Sequence, residues 1–109
     1  MPHIVVEADH ATADGLDAGK LLADLHNTLA DQDTVRKAAI KTRLLIAEGS
    51  VVGEDERPHF IAVVVKLLAG RPDELKGEMA DALLSVVKGY VSADVSASVE
   101  VVELGVYRK

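Results

Sequence analysis

The chain contains no cysteine and no tryptophan, and its only aromatic side chains are Phe60, Tyr90 and Tyr107 among 109 residues. Without thiols it has neither a disulfide scaffold nor a cysteine-ligated zinc or iron–sulfur centre, and it suits a reducing compartment. With so few rings, its core must be built from Val, Leu, Ile and Ala. Positive charge is also scarce: 12 Lys and Arg against 18 Asp and Glu leave a net charge of −6. No basic stripe interrupts that balance, whereas nucleic-acid binding needs clustered Lys and Arg to neutralise phosphates. Long hydrophobic runs are missing as well. The longest, Phe60 to Val65, ends at Lys66, far short of the roughly 20 residues that a spanning helix needs. Glu7 and Asp9 interrupt any secretory leader, so the sequence reads as a cytoplasmic protein with no membrane partner. Disorder is excluded by 49% hydrophobic against 28% charged residues. A chain of this length forms one domain, which buries roughly two thirds of its unfolded surface.

Three kinds of segment recur in one order. His3 to Asp9 is short and β-branched and reads as a strand. Asp9 to Gly15 reads as a turn. Ala18, Leu21, Leu22, Leu25 and Leu29 then follow helical spacing over about residues 16 to 31. Ala38 to Ala47 is a second strand, and Gly49 to Pro58 a turn or small hairpin that is the one plausible hinge. The order then repeats. Phe60 to Leu68 reads as a strand, a helix opens at Gly70-Arg71-Pro72-Asp73-Glu74, and Ser98 to Leu104 is the last strand. Leu75, Met79, Leu83, Val86, Val87 and Tyr90 line the apolar face of that second helix.

Pro2-His3 recurs as Pro58-His59 and Ala23-Asp24 as Ala80-Asp81, at nearly one spacing. Joined to the order of elements, this indicates a tandem β-α-β duplication with pseudo-repeats at about 2–50 and 58–105. The expected fold class is α+β: a four-stranded mixed sheet with two helices on one face, each crossover right-handed. The other face is expected to be apolar and bare, which calls for another subunit.

The first candidate for chemistry is the amino terminus. Removal of Met1 ahead of a small residue would leave Pro2 with a free secondary amine at a strand edge. A free α-amino group has a pKa of about 8, proline's is intrinsically higher, and burial or neighbouring cations lower it towards the range of a working base. The bland alternative is an ordinary exposed second residue. The second candidate is a set of cations at element boundaries: Arg71 after the third strand, Lys41 and Arg43 on the second, and Arg57 before the third. If strands one and three pair antiparallel at the sheet centre, Pro2 comes beside Arg71. A base and a carboxylate-binding guanidinium would then share one pocket. Taken singly, Arg71 reads better as a helix-start residue paired with Asp73 or Glu74, and Lys41 and Arg43 read equally as a solvated or interfacial edge.

Other signals are weaker. Gly15 to Leu21 is one residue short of a phosphate loop and lacks its Ser or Thr after Lys20. His3, His10, His26 and His59 show no paired metal spacing, though His3 adjoins Pro2. Ser85, Ser92, Ser96 and Ser98 lack a nucleophile elbow. Nothing selects Glu7 or Glu48 over surface roles.

Met-Pro-His-Ile-Val-Val-Glu at the start, Ile40-Lys41-Thr42-Arg43, and Lys66-Leu67-Leu68-Ala69-Gly70-Arg71 ahead of Gly77-Glu78-Met79 together resemble the 5-carboxymethyl-2-hydroxymuconate Δ-isomerases of the tautomerase superfamily. The resemblance spans nearly the whole chain. It implies a tautomerase-like fold and a homotrimer with active sites at subunit interfaces. It implies further that Pro2 shuttles a proton without any cofactor or metal. Arg71 would act with it, and Lys41, Arg43 and Phe60 would bind a small anionic substrate. The implied role is isomerisation of an unsaturated hydroxy- or keto-polycarboxylate in the breakdown of aromatic acids such as 4-hydroxyphenylacetate. Lys41 stands where related enzymes carry Arg, so the charge is kept and the bidentate fork lost. Two alternatives remain: another reaction of the same base, such as phenylpyruvate-type tautomerisation, decarboxylation or hydration, and a non-catalytic oligomeric module that binds a small ligand.

Overall fold

The computed structural model describes residues 2–54 and 58–109. Strand β1 (His3–Asp9) alternates cleanly, with Ile4, Val6 and Ala8 buried and His3, Val5 and Glu7 turned to the opposite face. Asp9 ends the strand and caps the short helix α1 (His10–Asp14) by accepting a hydrogen bond from the Thr12 amide. A helical turn thus stands where composition suggested only a turn, because this Asx cap satisfies an otherwise orphaned N–H. Helix α2 (Ala18–Ala30) starts at the Asp17 cap and buries Leu21, Leu25 and Leu29, four residues apart on one stripe. A 3₁₀ turn at Lys37–Ala39 delays β2 (Lys41–Ala47) by three residues relative to the expected start.

The second unit runs β3 (His59–Leu67), α3 (Asp73–Lys88) and β4 (Val95–Glu103). Helix α3 carries Asp73 and Glu74 in its first turn and Lys88 in its last, each favourable to the helix dipole. It buries Met79, Leu83 and Val87. Strand β4 begins three residues earlier than expected. Ser96 and Ser98 hide the pattern, but pairing with β3 draws in the segment, and Val95 and Ala97 pack against the core. The described residues 49–54 form no strand, and Arg57 lies outside the described residues.

The sheet order is β2-β1-β3-β4. The central pair is antiparallel, with His3 opposite Lys66 and Ala8 opposite Ile61. Both outer pairs are parallel, β1 with β2 and β3 with β4, as two β-α-β units require. The buried faces of both helices join Ile4, Val6, Ile61, Val63, Val65 and Leu67 in one aliphatic core, where each fully buried side chain contributes about 1.5–3 kcal/mol.

The bare face departs from the apolar surface expected. Along the register, Lys41, His3, Lys66 and Val102 form one row, Arg43, Val5, Val64 and Glu100 the next, and Leu45, Glu7, Ala62 and Ser98 a third. The face is a mosaic, cationic at the start of β1 and acidic further along. The β-branched residues that signal a strand in sequence are divided between both faces, and the intervening charges fall on this one.

Candidate active site

Antiparallel pairing sets the start of β1 beside the end of β3, and parallel pairing sets the segment before β2 beside the start of β1. Three chain segments therefore converge on Pro2. Pro2 is buried, and its carbonyl accepts a hydrogen bond of 3.0 Å from the Lys41 amide. A cavity of about 270 Å³ opens beside it, lined by Pro2, Thr34, Arg36, Leu67, Leu68 and Arg71.

Gly70 makes the turn that delivers Arg71. Its φ of 124° lies in a region that side chains avoid, and its amide donates to Glu103 at 3.2 Å. Lys76 pairs with both Asp73, at 3.1 Å, and Glu103, at 3.7 Å, tying the start of α3 to the end of β4. Arg71 is half-buried and fixed by three acceptors: Nε donates to Thr34 Oγ1 at 3.1 Å, Nη2 to the Thr34 carbonyl at 2.8 Å, and Nη1 to the Leu68 carbonyl at 3.4 Å. Two of its five N–H groups remain, one on each terminal nitrogen, enough to grip a carboxylate with both. Its partner is Thr34 rather than the acids of its own helix. Arg36 caps the 3₁₀ turn through its backbone, and its guanidinium is exposed, with no partner among the described residues. Among the described residues, the cavity thus sets a buried proline against two cations and no acid.

The other predicted residues lie elsewhere in this chain. Lys41 and Arg43 sit on the opposite face of the sheet, around His3. There the Arg43 guanidinium donates to His3 Nδ1 at 3.1 Å, and the other ring nitrogen lies 3.3 Å from the Tyr107 hydroxyl. Burial first, and then Arg43, Lys41 and Lys66, lower the pKa of His3 from 6.5. Phe60 is the second residue of β3, at the far end of the sheet, where its amide donates to Asp9 at 2.9 Å. That end lies roughly 20 Å from Pro2 at about 3.3 Å per strand residue. Within one chain, therefore, Pro2 and Arg71 come together, whereas Lys41, Arg43 and Phe60 do not join them. Arg36 and Thr34 were missed in sequence. Their signal was positional, a cation just ahead of a strand that pairs parallel to β1.

A sequence-family model of 5-carboxymethyl-2-hydroxymuconate isomerase matches residues 2–104. No curated protein matches the chain in sequence. Among solved structures, a 5-carboxymethyl-2-hydroxymuconate isomerase from Deinococcus radiodurans R1 superposes with a TM-score of 0.85 at 24% identity, covering 99% of this chain and 88% of that one. A 5-carboxymethyl-2-hydroxymuconate delta-isomerase gives 0.78 at 12% identity, over 100% and 87%. A fused 4-OT described as a wild-type symmetric trimer gives 0.64 at 22% identity, over 95% and 90%. At these identities the structural likenesses establish the fold.

Proposed function

The chain belongs to the 5-carboxymethyl-2-hydroxymuconate isomerase family, and on that premise we propose that it is a cofactor-independent tautomerase whose general acid/base is the amine of Pro2. The substrate is an unsaturated hydroxy- or keto-polycarboxylate of the 5-carboxymethyl-2-hydroxymuconate type, met in the breakdown of aromatic acids. One observation carries the reading: buried Pro2 shares a cavity with Arg71 and Arg36.

The chemistry requires Met1 to be removed, because an acylated proline nitrogen has no basic lone pair. The freed amine takes the proton of the substrate's enol hydroxyl. The oxygen's electrons form a carbonyl, the conjugated double bonds shift, and the same proton returns from the prolinium to a carbon at the end of the system. No atom is gained or lost. Arg71 holds one carboxylate or the oxygen that gathers negative charge, with its guanidinium already fixed by Thr34 and Leu68, so little reorganisation accompanies the step. Arg36, at the open side, binds a second carboxylate. Both cations also favour the neutral amine by disfavouring its protonation.

The chain is proposed to assemble as a trimer through the bare sheet face. Lys41, Arg43 and Phe60, remote from Pro2 in their own chain, reach a substrate only at a neighbour's site.

Intact mass of the purified protein is expected to show loss of Met1. Ketonisation of a dienol diacid, followed by its ultraviolet absorbance, is expected to fall at least about a hundredfold in kcat for Pro2→Ala and for Arg71→Ala. Arg36→Ala is expected chiefly to raise KM. Turnover that survives both Pro2→Ala and Arg71→Ala refutes the mechanism, and light scattering that gives a stable monomer refutes the shared site.

A further inference from the structure

A guanidinium can present parallel N–H groups along two edges. The side edge pairs Nε with one hydrogen of Nη2, and the end edge pairs the other Nη2 hydrogen with one of Nη1. In Arg71 the side edge is taken up entirely by one residue: Nε donates to Thr34 Oγ1 at 3.1 Å and Nη2 to the Thr34 carbonyl at 2.8 Å. Nη1 donates back along its own chain, to the Leu68 carbonyl at 3.4 Å. The end edge is what remains for a ligand.

Thr34 belongs to the other β-α-β unit. It sits just beyond α2, in a turn where the Val35 amide donates to the Gln32 carbonyl at 3.0 Å, and the same loop brings Arg36 to the cavity. Packing does not account for it. The residue is exposed, and among the described residues its hydroxyl has one hydrogen bond, the one from Arg71. All three acceptors of Arg71 are neutral oxygens. No carboxylate lies within ion-pair distance of it among the described residues, although Asp33 adjoins Thr34 and Asp73 is two residues from Arg71. An acid would orient the guanidinium and cancel its charge, whereas a hydroxyl and a carbonyl orient it and leave the charge for an anion.

Resting on the reading of Arg71 as the anion holder beside Pro2, we propose that Thr34 is its positioning residue: it occupies the side edge, so that the substrate's anionic oxygens are met end-on by Nη1 and Nη2. Without the hydroxyl, Nε offers a second pairing edge and the guanidinium is free to turn about its Nε bonds. The anion is then held in more than one orientation relative to the proline amine, and small misplacements of reacting groups cost rate.

The test compares the parent with Thr34→Val, which keeps the branched shape and loses the acceptor, and with Thr34→Ser, which keeps the hydroxyl. In ¹⁵N spectra the Arg71 Nε–H signal, assigned by its loss in Arg71→Ala, is expected to exchange slowly with water in the parent and in Thr34→Ser and rapidly in Thr34→Val. With a dienol diacid, Thr34→Val is expected to lower kcat about tenfold, the scale of one hydrogen bond to a charged group, at an unchanged Tm, while Thr34→Ser stays near the parent. In the Arg71→Ala background Thr34→Val is expected to change nothing further, because its effect passes through that side chain. A parent that does not turn over the dienol diacid refutes the tautomerase reading and leaves the Nε–H signal to decide the role of Thr34. Slow exchange at Nε–H in Thr34→Val, parental kcat in that variant, an equal fall in Thr34→Ser, or a tenfold loss that persists without Arg71 overturns the proposal.

Discussion

Replacing Asp9 by Asn removes one charge and little volume at the point where β1, α1 and β3 meet. The carboxylate accepts four hydrogen bonds, two at each oxygen. An amide keeps one accepting oxygen and turns two donors of its own towards groups that also donate. His59 can relax by exchanging tautomers. The Thr12 amide or the Phe60 amide cannot, so at least one charge-assisted bond is lost and one N–H is left unsatisfied. At about 1.5–3 kcal/mol for a hydrogen bond to a charged group, the net cost is about 2–4 kcal/mol. For a domain of this size that lowers Tm by roughly 10–15 °C, measured at equal protein concentration because an oligomer's Tm depends on it. The pH dependence is a second check. Burial alone would raise the pKa of Asp9, but the hydrogen bonds from the Thr12 hydroxyl, the Phe60 amide, His59 and the Thr12 amide together hold it well below the usual carboxylate range. A depressed folded pKa contributes stability that is present above the unfolded value, near 3.8, and is lost as pH falls below it. The gap between parent and Asp9→Asn in urea melts is therefore expected to be full at pH 7 and to shrink at pH 3. A variant within about 0.5 kcal/mol of the parent at pH 7, or a gap that does not narrow in acid, refutes this account.

Gly70→Ala places a side chain at φ 124° with nothing nearby to clash, so backbone strain alone is expected to cost about 1–3 kcal/mol; because that turn aims Arg71, turnover should fall more than a distant substitution of equal stability cost would lower it. Exchanging Lys41 and Arg43 for Met is expected to raise the pKa of His3 towards 6.5, since both cations oppose its protonation; an NMR titration of the ring that does not move refutes the cationic cluster. Tyr90 donates its hydroxyl to Asp24 and is pushed up to about 12 by that bond first and by burial second. In Tyr107→Phe, where it is the one remaining tyrosine, ultraviolet titration should show no phenolate at pH 10.5, and stability owed to the bond should be lost as pH rises through about 12.

Much of this protein was decided locally. The apolar spacing of Leu21, Leu25 and Leu29, the alternation of Ile4, Val6 and Ala8, and the repeat of Pro2-His3 at Pro58-His59 lie within single segments or between two copies. They are enough to specify two β-α-β units and, through the central antiparallel pair, the approach of Arg71 to Pro2. Boundaries set by partners were less visible: Ser96 to Ser98 becomes strand because β3 supplies hydrogen bonds along it, and Asp9 makes a helix of a turn because its carboxylate can reach the Thr12 amide. The polarity of the bare face followed from register, which a one-residue slip would reverse. Arg36 and the Asp9–His59 pair are separated in sequence from the groups they join. Composition determined an aliphatic α+β chain without thiol chemistry. Only the tertiary structure decided that two cations would stand over one end of its sheet and a buried carboxylate with its histidine over the other, because parallel and antiparallel pairing together choose which distant residues become neighbours.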